Sequence, residues 1–280
     1  MASGNSGRSP RRRPDDAGEM IRELVAEQIN KQAQKYAEKY ADKFEGLGSV
    51  VDLWLRTEPG RRQPRFSRDD IAEAAVRIAD EEGIDALSMR RLATEVGAGT
   101  MTLYHYVRTK DELLSLVTDY VMGEIVLPAT KLRGGWRAAI TALAHSSRAA
   151  FERHPWIFDI VEDPAVGPNG VRHFDQSLEA VSTLPGTLAD KLDLIHAVDE
   201  YVFGYCLHAR NDDDNYGDAD DPMRLYVTRL ITTGDYPSLA ALADEYGMNS
   251  MWTRVEKHAN DPRRFDRNLA RLLDGFEASL

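Results

Sequence analysis

The sequence contains one cysteine, Cys206, and no long apolar run, and each absence excludes a class of protein. A lone cysteine cannot form an intramolecular disulfide and is typical of proteins that work in a reducing cytoplasm. No stretch approaches the ~18 consecutive apolar residues that a membrane-spanning helix requires. The amino terminus also lacks the apolar segment of a signal peptide. We therefore expect a cytoplasmic protein that has no membrane partner.

The motifs of common enzyme classes are absent as well. The sequence has no G-x-S-x-G, no phosphate-binding loop, no C-x-x-C and no glycine pattern for a dinucleotide. The acidic segment Asn211–Asp221 does not fit an EF-hand, because Met223 stands where the bidentate glutamate belongs. We predict no catalytic residue, no metal site and no cofactor.

One group of potential metal ligands leaves an alternative open. It lies near one face of a predicted helix and comprises His196, Asp199, Glu200 and His208. Such side chains can hold a divalent ion, but their spacing is not the H-E-x-x-H of zinc-dependent hydrolases. An all-α metal-dependent enzyme is therefore the alternative function. Bound metal or turnover would distinguish it from a binding protein.

The charge balance limits how the chain can bind nucleic acid. A formal net charge of −11 argues against indiscriminate binding to a polyanion. The location of the positive charges therefore matters more than their total.

The apolar fraction of 42% over 280 residues is enough for the core of one large or two modest domains.

The segment from Ser88 to Lys110 predicts two short helices joined by a tight turn. Ser88 is a candidate N-cap for the first helix. The apolar positions at helical spacing that follow are Met89, Leu92, Ala93 and Val96. Gly97 and Gly99 predict the turn, because glycine adopts positive φ at little cost. This is the pattern of a helix-turn-helix, whose second helix enters the DNA major groove.

The second helix is predicted from about Thr100 to Val107, with Leu103 and Val107 facing inward. The polar side chains predicted on its outer face are Thr100, Thr102, Tyr104, His105 and Tyr106. Such side chains can contact phosphates and base edges. Arg90 could contact a guanine or a phosphate. Lys110 opens the next helix, where its ammonium and the helix N-terminus could both bind a phosphate.

The run ATEVGAGTMTLYHYVRTKDELL closely resembles the DNA-binding domain of the TetR family of bacterial transcriptional regulators. The resemblance covers roughly residues 66–125. It implies base contacts from Arg90, Thr100 and Met101, the last being apolar. It implies phosphate contacts from Thr102, Tyr104, His105, Tyr106 and Lys110. It further implies a homodimer that binds a palindromic operator as a repressor and is released by a small molecule.

The residues before this domain divide into an arm, a helix and a linker. Residues 1–18 form a polar arm with a basic cluster, which is either a solubilising tail or a contact to the minor groove. Within 19–65, residues 19–44 predict an amphipathic helix. It docks on the dimer, on DNA or a membrane, or on a protein partner through which the regulator would act. The linker arginines Arg61, Arg62 and Arg65 either contact DNA or are only solvated.

Beyond residue 125 every periodic segment is helical, which predicts an all-α protein. A three-helix DNA-binding domain at 66–125 precedes a larger ligand-binding and dimerisation domain at 126–280. The ending NLARLLDGFEASL resembles the C-terminal domain of the tetracycline-repressor branch. In that family helices corresponding to 187–210 and 262–279 form the dimer surface. The candidate residues for a small-molecule ligand are Phe174, Gln176, His196, Glu200 and Tyr201.

Overall fold

The computed structural model describes residues 53–56, 66–160, 167–210 and 222–280. Every regular element within these ranges is helical, which confirms the predicted fold class. The basic arm, the amphipathic helix at 19–44, the arginines Arg61, Arg62 and Arg65, and the acidic segment 211–221 lie outside the described residues. In the part of the chain that is described, no helix is both long and apolar enough to cross a membrane.

The first four α-helices contain the predicted helix-turn-helix. They are α1 (Arg68–Glu82), α2 (Met89–Glu95), α3 (Thr100–Leu103) and α4 (Lys110–Ile125), with a short 3-10 helix at Ile84–Ala86. Ser67 begins α1 through a capping box with Asp70, as predicted. Gly83 ends it with a φ of 86°, a conformation that favours glycine.

The apolar face of α1 is buried as its sequence pattern predicts. Its inward positions, all at most 2% exposed, are Ile71, Ala74, Ala75, Ile78 and Ala79. These residues share one hydrophobic core with Leu92, Leu103 and Val107 from the following two helices and their turn. The burial of small side chains lets α1 and α4 approach closely, which holds the helix-turn-helix on a rigid base.

The second half of the chain adds seven more helices. They are α5 (Trp136–Arg153), α6 (Pro168–Ala180), α7 (Leu188–Arg210), α8 (Pro222–Ile231), α9 (Pro237–Tyr246), α10 (Met248–Ala259) and α11 (Arg264–Ser279). Short 3-10 helices occur at Ala129–Leu132 and Pro155–Asp159. The core between α5, α7 and α11 includes the fully buried Phe265 and the cysteine Cys206, whose pKa burial raises to about 12.

Two expectations about these helices are corrected. No helix was predicted between residues 233 and 262, where α9 and α10 lie. Pro237 at the start of α9 and Gly247 after its end are the sequence signals that mark them. The sequence places apolar residues on more than one side of the long helix α7, which predicts burial on all sides. Its residues Asp193, His196 and Leu207 are exposed, because none of the described helices covers that face.

Candidate DNA-binding surface and effector cavity

The turn of the helix-turn-helix depends on one glycine in the left-handed region. Gly97 has a φ of 64°, and the backbone N–H of Ala98 donates to the carbonyl of Ala93 at 2.9 Å. Gly99 was expected to share this conformation. It instead has a φ of −78° and stands in the N-cap position of α3, a conformation that other residues also adopt.

The side chains around α3 leave a polar surface facing outward. Leu103 and Val107 are fully buried, as predicted, and they fix the orientation of the helix. Met101 is 73% exposed and Tyr104 is 44% exposed. The other predicted DNA-contacting residues that are exposed are Arg90, Thr100, Thr102, His105 and Lys110. The structure therefore brings seven of the predicted side chains to the accessible surface of α2, α3 and the start of α4.

Tyr106 was expected on this outer face, and that placement is wrong. Its side chain is 5% exposed and packs in the core beside Leu103 and Val107. The helical geometry ends at Leu103, so residue 106 lies in a turn and does not continue the exposed stripe. If the helix continued beyond Leu103, Tyr106 would lie four residues after Thr102 on the same exposed face. The turn instead directs the Tyr106 side chain into the core.

A buried ion pair holds the start of α4 next to α3. The fully buried Glu112 accepts a hydrogen bond from the Arg56 guanidinium at 2.6 Å and from the backbone N–H of Arg108 at 2.7 Å. Arg56 also donates to the carbonyl of Tyr106 at 3.5 Å. Thr109 begins α4 by accepting from the N–H of Glu112 at 3.1 Å, which confirms the cap predicted for this helix. No local pattern predicts the pairing with Arg56, which lies fifty-six residues earlier in the chain.

Near its middle, α4 caps the N-terminus of α6. The carboxylate of Asp119 accepts from the backbone N–H groups of Asn169 and Gly170 at 2.9 and 3.0 Å. The Asn169 amide donates back to the carbonyl of Asp119 at 3.1 Å. Burial raises the pKa of Asp119, although these hydrogen bonds oppose the rise. Gly167 lies against Asp119 and Trp54 so closely that a Cβ would collide with both side chains.

A second tie joins the DNA-binding helices to the end of α5. Asp80 of α1 accepts hydrogen bonds at 2.7 Å from both His154 and the indole N–H of Trp156. The other ring nitrogen of His154, a residue only 2% exposed, lies 3.2 Å from Glu124 of α4. The end of α5 is therefore joined to both α1 and α4, because one imidazole contacts both helices.

The last turns of α4 line a cavity of about 350 Å³. Its apolar walls are Met122, Ile125, Phe151, Val202 and Phe203. Its polar residues are Ser147, His173, Asp199 and Glu200. Each of the four helices α4 to α7 contributes at least one of these side chains. Apolar walls with a few polar groups, at this size, are typical of a small-molecule site.

The cavity includes one of the five ligand residues predicted from sequence, Glu200. Phe174 is 44% exposed on the outside of α6. Gln176 hydrogen-bonds the backbone of Leu127 through both its amide atoms. His196 is exposed on α7. Tyr201 stacks on Phe265 and donates to its carbonyl at 2.9 Å.

The other lining residues could not be assigned to a cavity from the sequence. Phe151, Ser147 and Phe203 carry no signal beyond helical periodicity, because a cavity arises from the spaces between helices that are distant in sequence. Within the described ranges no three His, Cys, Asp or Glu side chains come together as ligands for a metal ion.

Burial changes the titration of two cavity residues. The apolar walls displace water around Asp199 and raise its pKa to about 6, although the residue still reaches solvent through the mouth of the cavity. Nearby His196 opposes that rise. Burial lowers the pKa of His173, so its imidazole favours the neutral form. The Nδ1 of His173 is buried and has no hydrogen-bond partner in the described part of the chain.

Comparison with known families and proteins agrees with this architecture. Residues 71–117 match the model of the bacterial regulatory proteins of the tetR family. Residues 127–280 match the tetracyclin repressor-like C-terminal domain. A transcriptional repressor of Streptomyces coeruleorubidus, DrrR1, is 34% identical over 249 residues, which are 83% of this chain and 87% of that protein. A transcriptional regulator of Saccharopolyspora erythraea is 33% identical over 69% of this chain and 82% of its own length.

Solved structures show the same fold. The TetR family protein ActR of Streptomyces coelicolor, in complex with (S)-DNPA, superimposes with a TM-score of 0.62. It is 26% identical, and the match covers 78% of this chain and all of that one. The two family matches and the curated relatives lead to one conclusion: the chain belongs to the TetR family of bacterial transcriptional regulators.

Proposed function

We propose that the protein is a homodimeric repressor that binds a palindromic operator and is released when a small molecule enters the cavity beside α4. In this proposal residues 66–125 form the DNA-binding domain and residues 126–280 form the ligand-binding and dimerisation domain. The observation that carries the proposal is that one helix, α4, begins beside the exposed face of α3 and ends in the cavity wall. In this proposal α4 has two positions, one in the DNA-binding conformer and one in the released conformer. A ligand changes operator affinity only to the extent that it binds one of these conformers more tightly than the other.

The DNA contacts we propose are the exposed side chains around α3. Thr100, Met101 and Arg90 face the bases, and Met101 makes an apolar contact such as one to a thymine methyl. The proposed phosphate contacts are Thr102, Tyr104, His105 and Lys110. The arginines Arg61, Arg62 and Arg65 are proposed to contact the phosphates beside the half-site. Tyr106 is left out because its side chain packs in the core.

Exposed apolar side chains support the homodimer. A single DNA-binding domain covers few base pairs, whereas two of them set ~34–36 Å apart contact successive major grooves. Leu207 on α7 is 36% exposed, and on α8 Leu225 and Tyr226 are 54% and 58% exposed. Apolar surface of this kind typically marks a protein interface. We propose that α7 and α11 form the dimer surface and that α8 packs against the partner.

The small-molecule part of the proposal has support from the cavity and from one relative. The cavity has the size and apolar walls of an effector site, and it includes the end of α4. ActR, which is 26% identical over 78% of this chain, was crystallised with a small molecule, (S)-DNPA. We propose that an effector of this chain occupies the cavity at the end of α4.

The proposed DNA contacts are tested by measuring how tightly substituted proteins bind operator fragments that the parent protein selects from genomic DNA. We expect Lys110→Ala to weaken operator binding and to lower the slope of log affinity against log salt by roughly 0.9 for each DNA-binding domain. Tyr104→Ala is expected to weaken binding with helix content unchanged. Lys131→Ala, an exposed lysine on a 3-10 helix outside this surface, is the control. Unchanged affinity for both test variants at physiological salt would contradict the proposal.

The dimer is tested by light scattering of full-length protein. We expect Leu207→Glu and Leu225→Glu to shift the molar mass toward that of a monomer, because each places a charge in an apolar interface. Val171→Glu, at a site 57% exposed on α6, is the control. A dimer that persists in both test variants would place the interface elsewhere.

A further inference from the structure

The charge inside the effector cavity points to a class of ligand. Two adjacent acidic residues on α7, Asp199 and Glu200, line it, and no lysine or arginine does so in the part of the chain that is described. Neither carboxylate has an arginine or lysine partner among the described residues. His173, the remaining titratable group of the lining, favours its neutral form because it is buried. At neutral pH the cavity therefore carries negative charge without compensation.

An uncompensated anion near apolar walls discriminates strongly among ligands. An anionic ligand would bring like charges together and, by filling the cavity, would exclude the water that screens their repulsion. A neutral apolar ligand would remove water from the two carboxylates and leave them unpaired. A cation removes both costs, since it supplies the missing charge and hydrogen-bond donors.

The aromatic walls favour a flat, unsaturated ligand body. Phe151 and Phe203 lie with ring centroids 6.3 Å apart and planes at 85°. A ring system against either face gains stacking area, and an ammonium held near a face gains a cation–π interaction. The unpartnered Nδ1 of His173 offers a hydrogen bond to a second polar group such as a hydroxyl.

We propose that the effector is an aromatic organic cation, whose ammonium group pairs with Asp199 and Glu200 while its ring system lies against Phe151 and Phe203. This inference rests on the proposed function for its assumption that the cavity is the effector site. It adds the sign of the ligand's charge and the residues that select it.

The test measures binding of three probes with the same three-ring frame to full-length protein without DNA. The probes are 9-aminoacridine as the cation, acridine as the neutral form and acridine-9-carboxylate as the anion, compared at pH 7.5 and physiological salt. We expect the cation to bind at least about tenfold more tightly than the anion. Omitting DNA removes intercalation, which would otherwise consume the probes.

Variants separate the cavity from the general attraction of an acidic protein for cations. We expect Asp199→Asn with Glu200→Gln to weaken 9-aminoacridine binding at least about tenfold and to leave acridine binding within about twofold. Asp175→Asn removes a charge from the exposed face of α6 outside the cavity and is expected to leave the binding of all three probes unchanged. Thermal melting and helix content of each variant show that it is folded.

Three results would overturn the proposal: equal or tighter binding of the anion, cation binding that survives the double substitution, or no binding of any probe. Operator binding by the unliganded protein, measured separately, keeps the two proposals distinguishable. Operator binding with no preference for the cation would reject the ligand class alone. Charge-dependent cation binding without any operator affinity would reject the repressor and retain the cation site.

Discussion

The two ends of α4 differ in how tightly they are held. At the amino end, Glu112 is fully buried and accepts hydrogen bonds from Arg56 and Arg108, and Leu113 is 1% exposed. At the carboxyl end, Met122 and Ile125 face a cavity of about 350 Å³. Close packing resists displacement, whereas a cavity leaves side chains room to rearrange. The comparison teaches that the packing around α4 is closed beside α3 and leaves open space next to the cavity.

Near its middle and at its carboxyl end, α4 is also attached to its neighbours by directional polar contacts. Asp119 caps α6, and Glu124 faces the ring of His154, which also contacts Asp80 of α1. Hydrogen bonds have a narrower range of favourable geometry than apolar contacts, so these residues fix the position of α4 against its neighbours. The four predictions that follow test the difference between the ends, from the largest expected effect to the smallest.

The largest effect is expected at the amino end. Glu112→Ala leaves the Arg56 guanidinium without its partner in a buried site, and such a loss costs about 3–5 kcal/mol of unfolding free energy. Urea denaturation measures it. Glu152→Ala, which breaks an exposed i,i+4 pair with Arg148, is the control and should cost about 0.5 kcal/mol.

A double substitution sharpens this test. Arg56→Leu with Glu112→Leu removes both charges and should recover much of the stability, because an apolar pair needs no compensation. A loss below about 1 kcal/mol for Glu112→Ala would show that water screens the pair, as it does for surface pairs. In that case the amino end would be no more firmly held than the cavity end.

The next prediction compares truncations of two apolar side chains on α4. Leu113→Ala should cost about 3 kcal/mol, since it opens a new cavity in a closed core. Met122→Ala should cost about 1 kcal/mol, because its side chain already borders empty space. Urea midpoints of the two variants give the comparison directly. Equal losses would mean that the cavity is filled or closed in solution.

Removal of the cap on α6 should have a smaller effect. Asp119→Ala leaves the N–H groups of Asn169 and Gly170 without their acceptor and should cost about 1 kcal/mol in a urea titration. Asp119→Asn keeps an acceptor oxygen and is the matched control. If the alanine and asparagine variants unfold at the same urea concentration, the cap contributes nothing to stability.

The smallest expected effect is a gain in thermal stability that depends on pH. The pKa of Asp199 rises from 3.8 to about 6 in the fold, so the folded state binds the proton more tightly than the unfolded state. Its contribution to stability is therefore greatest below pH 3.8 and is lost as the pH rises through 6. Asp199→Asn should raise the Tm at pH 7.5 and leave it unchanged near pH 3.5.

Melting curves at the two pH values, with the exposed Asp175→Asn on α6 as the control, measure this gain. A lower Tm for Asp199→Asn at pH 7.5 would show that the carboxylate has a partner that stabilises its charge. That result would also remove the reason for expecting a cation in the cavity.

Local signals in the sequence were enough to predict the helices of the DNA-binding domain. Ser67, Gly83 and Ser88 act on their own neighbours through caps and positive φ, so their effects can be deduced without the rest of the chain. The length of α7, Leu188–Arg210, was predicted as it stands. The position of Tyr106 was predicted wrongly because α3 ends at Leu103 and does not continue to Val107. No residue type at that point indicates the end of the helix.

By itself, the sequence determined most of the helical segments, the caps at which several of them begin, and which family the chain resembles. Those properties depend on side chains within a few residues of one another. Only the tertiary structure decided that Arg56 pairs with Glu112, that Asp119 caps α6 and that Asp199 and Phe203 share a cavity with Met122. These contacts join residues far apart in the chain, and periodicity fixes the face on which a residue lies but not the neighbour that this face meets.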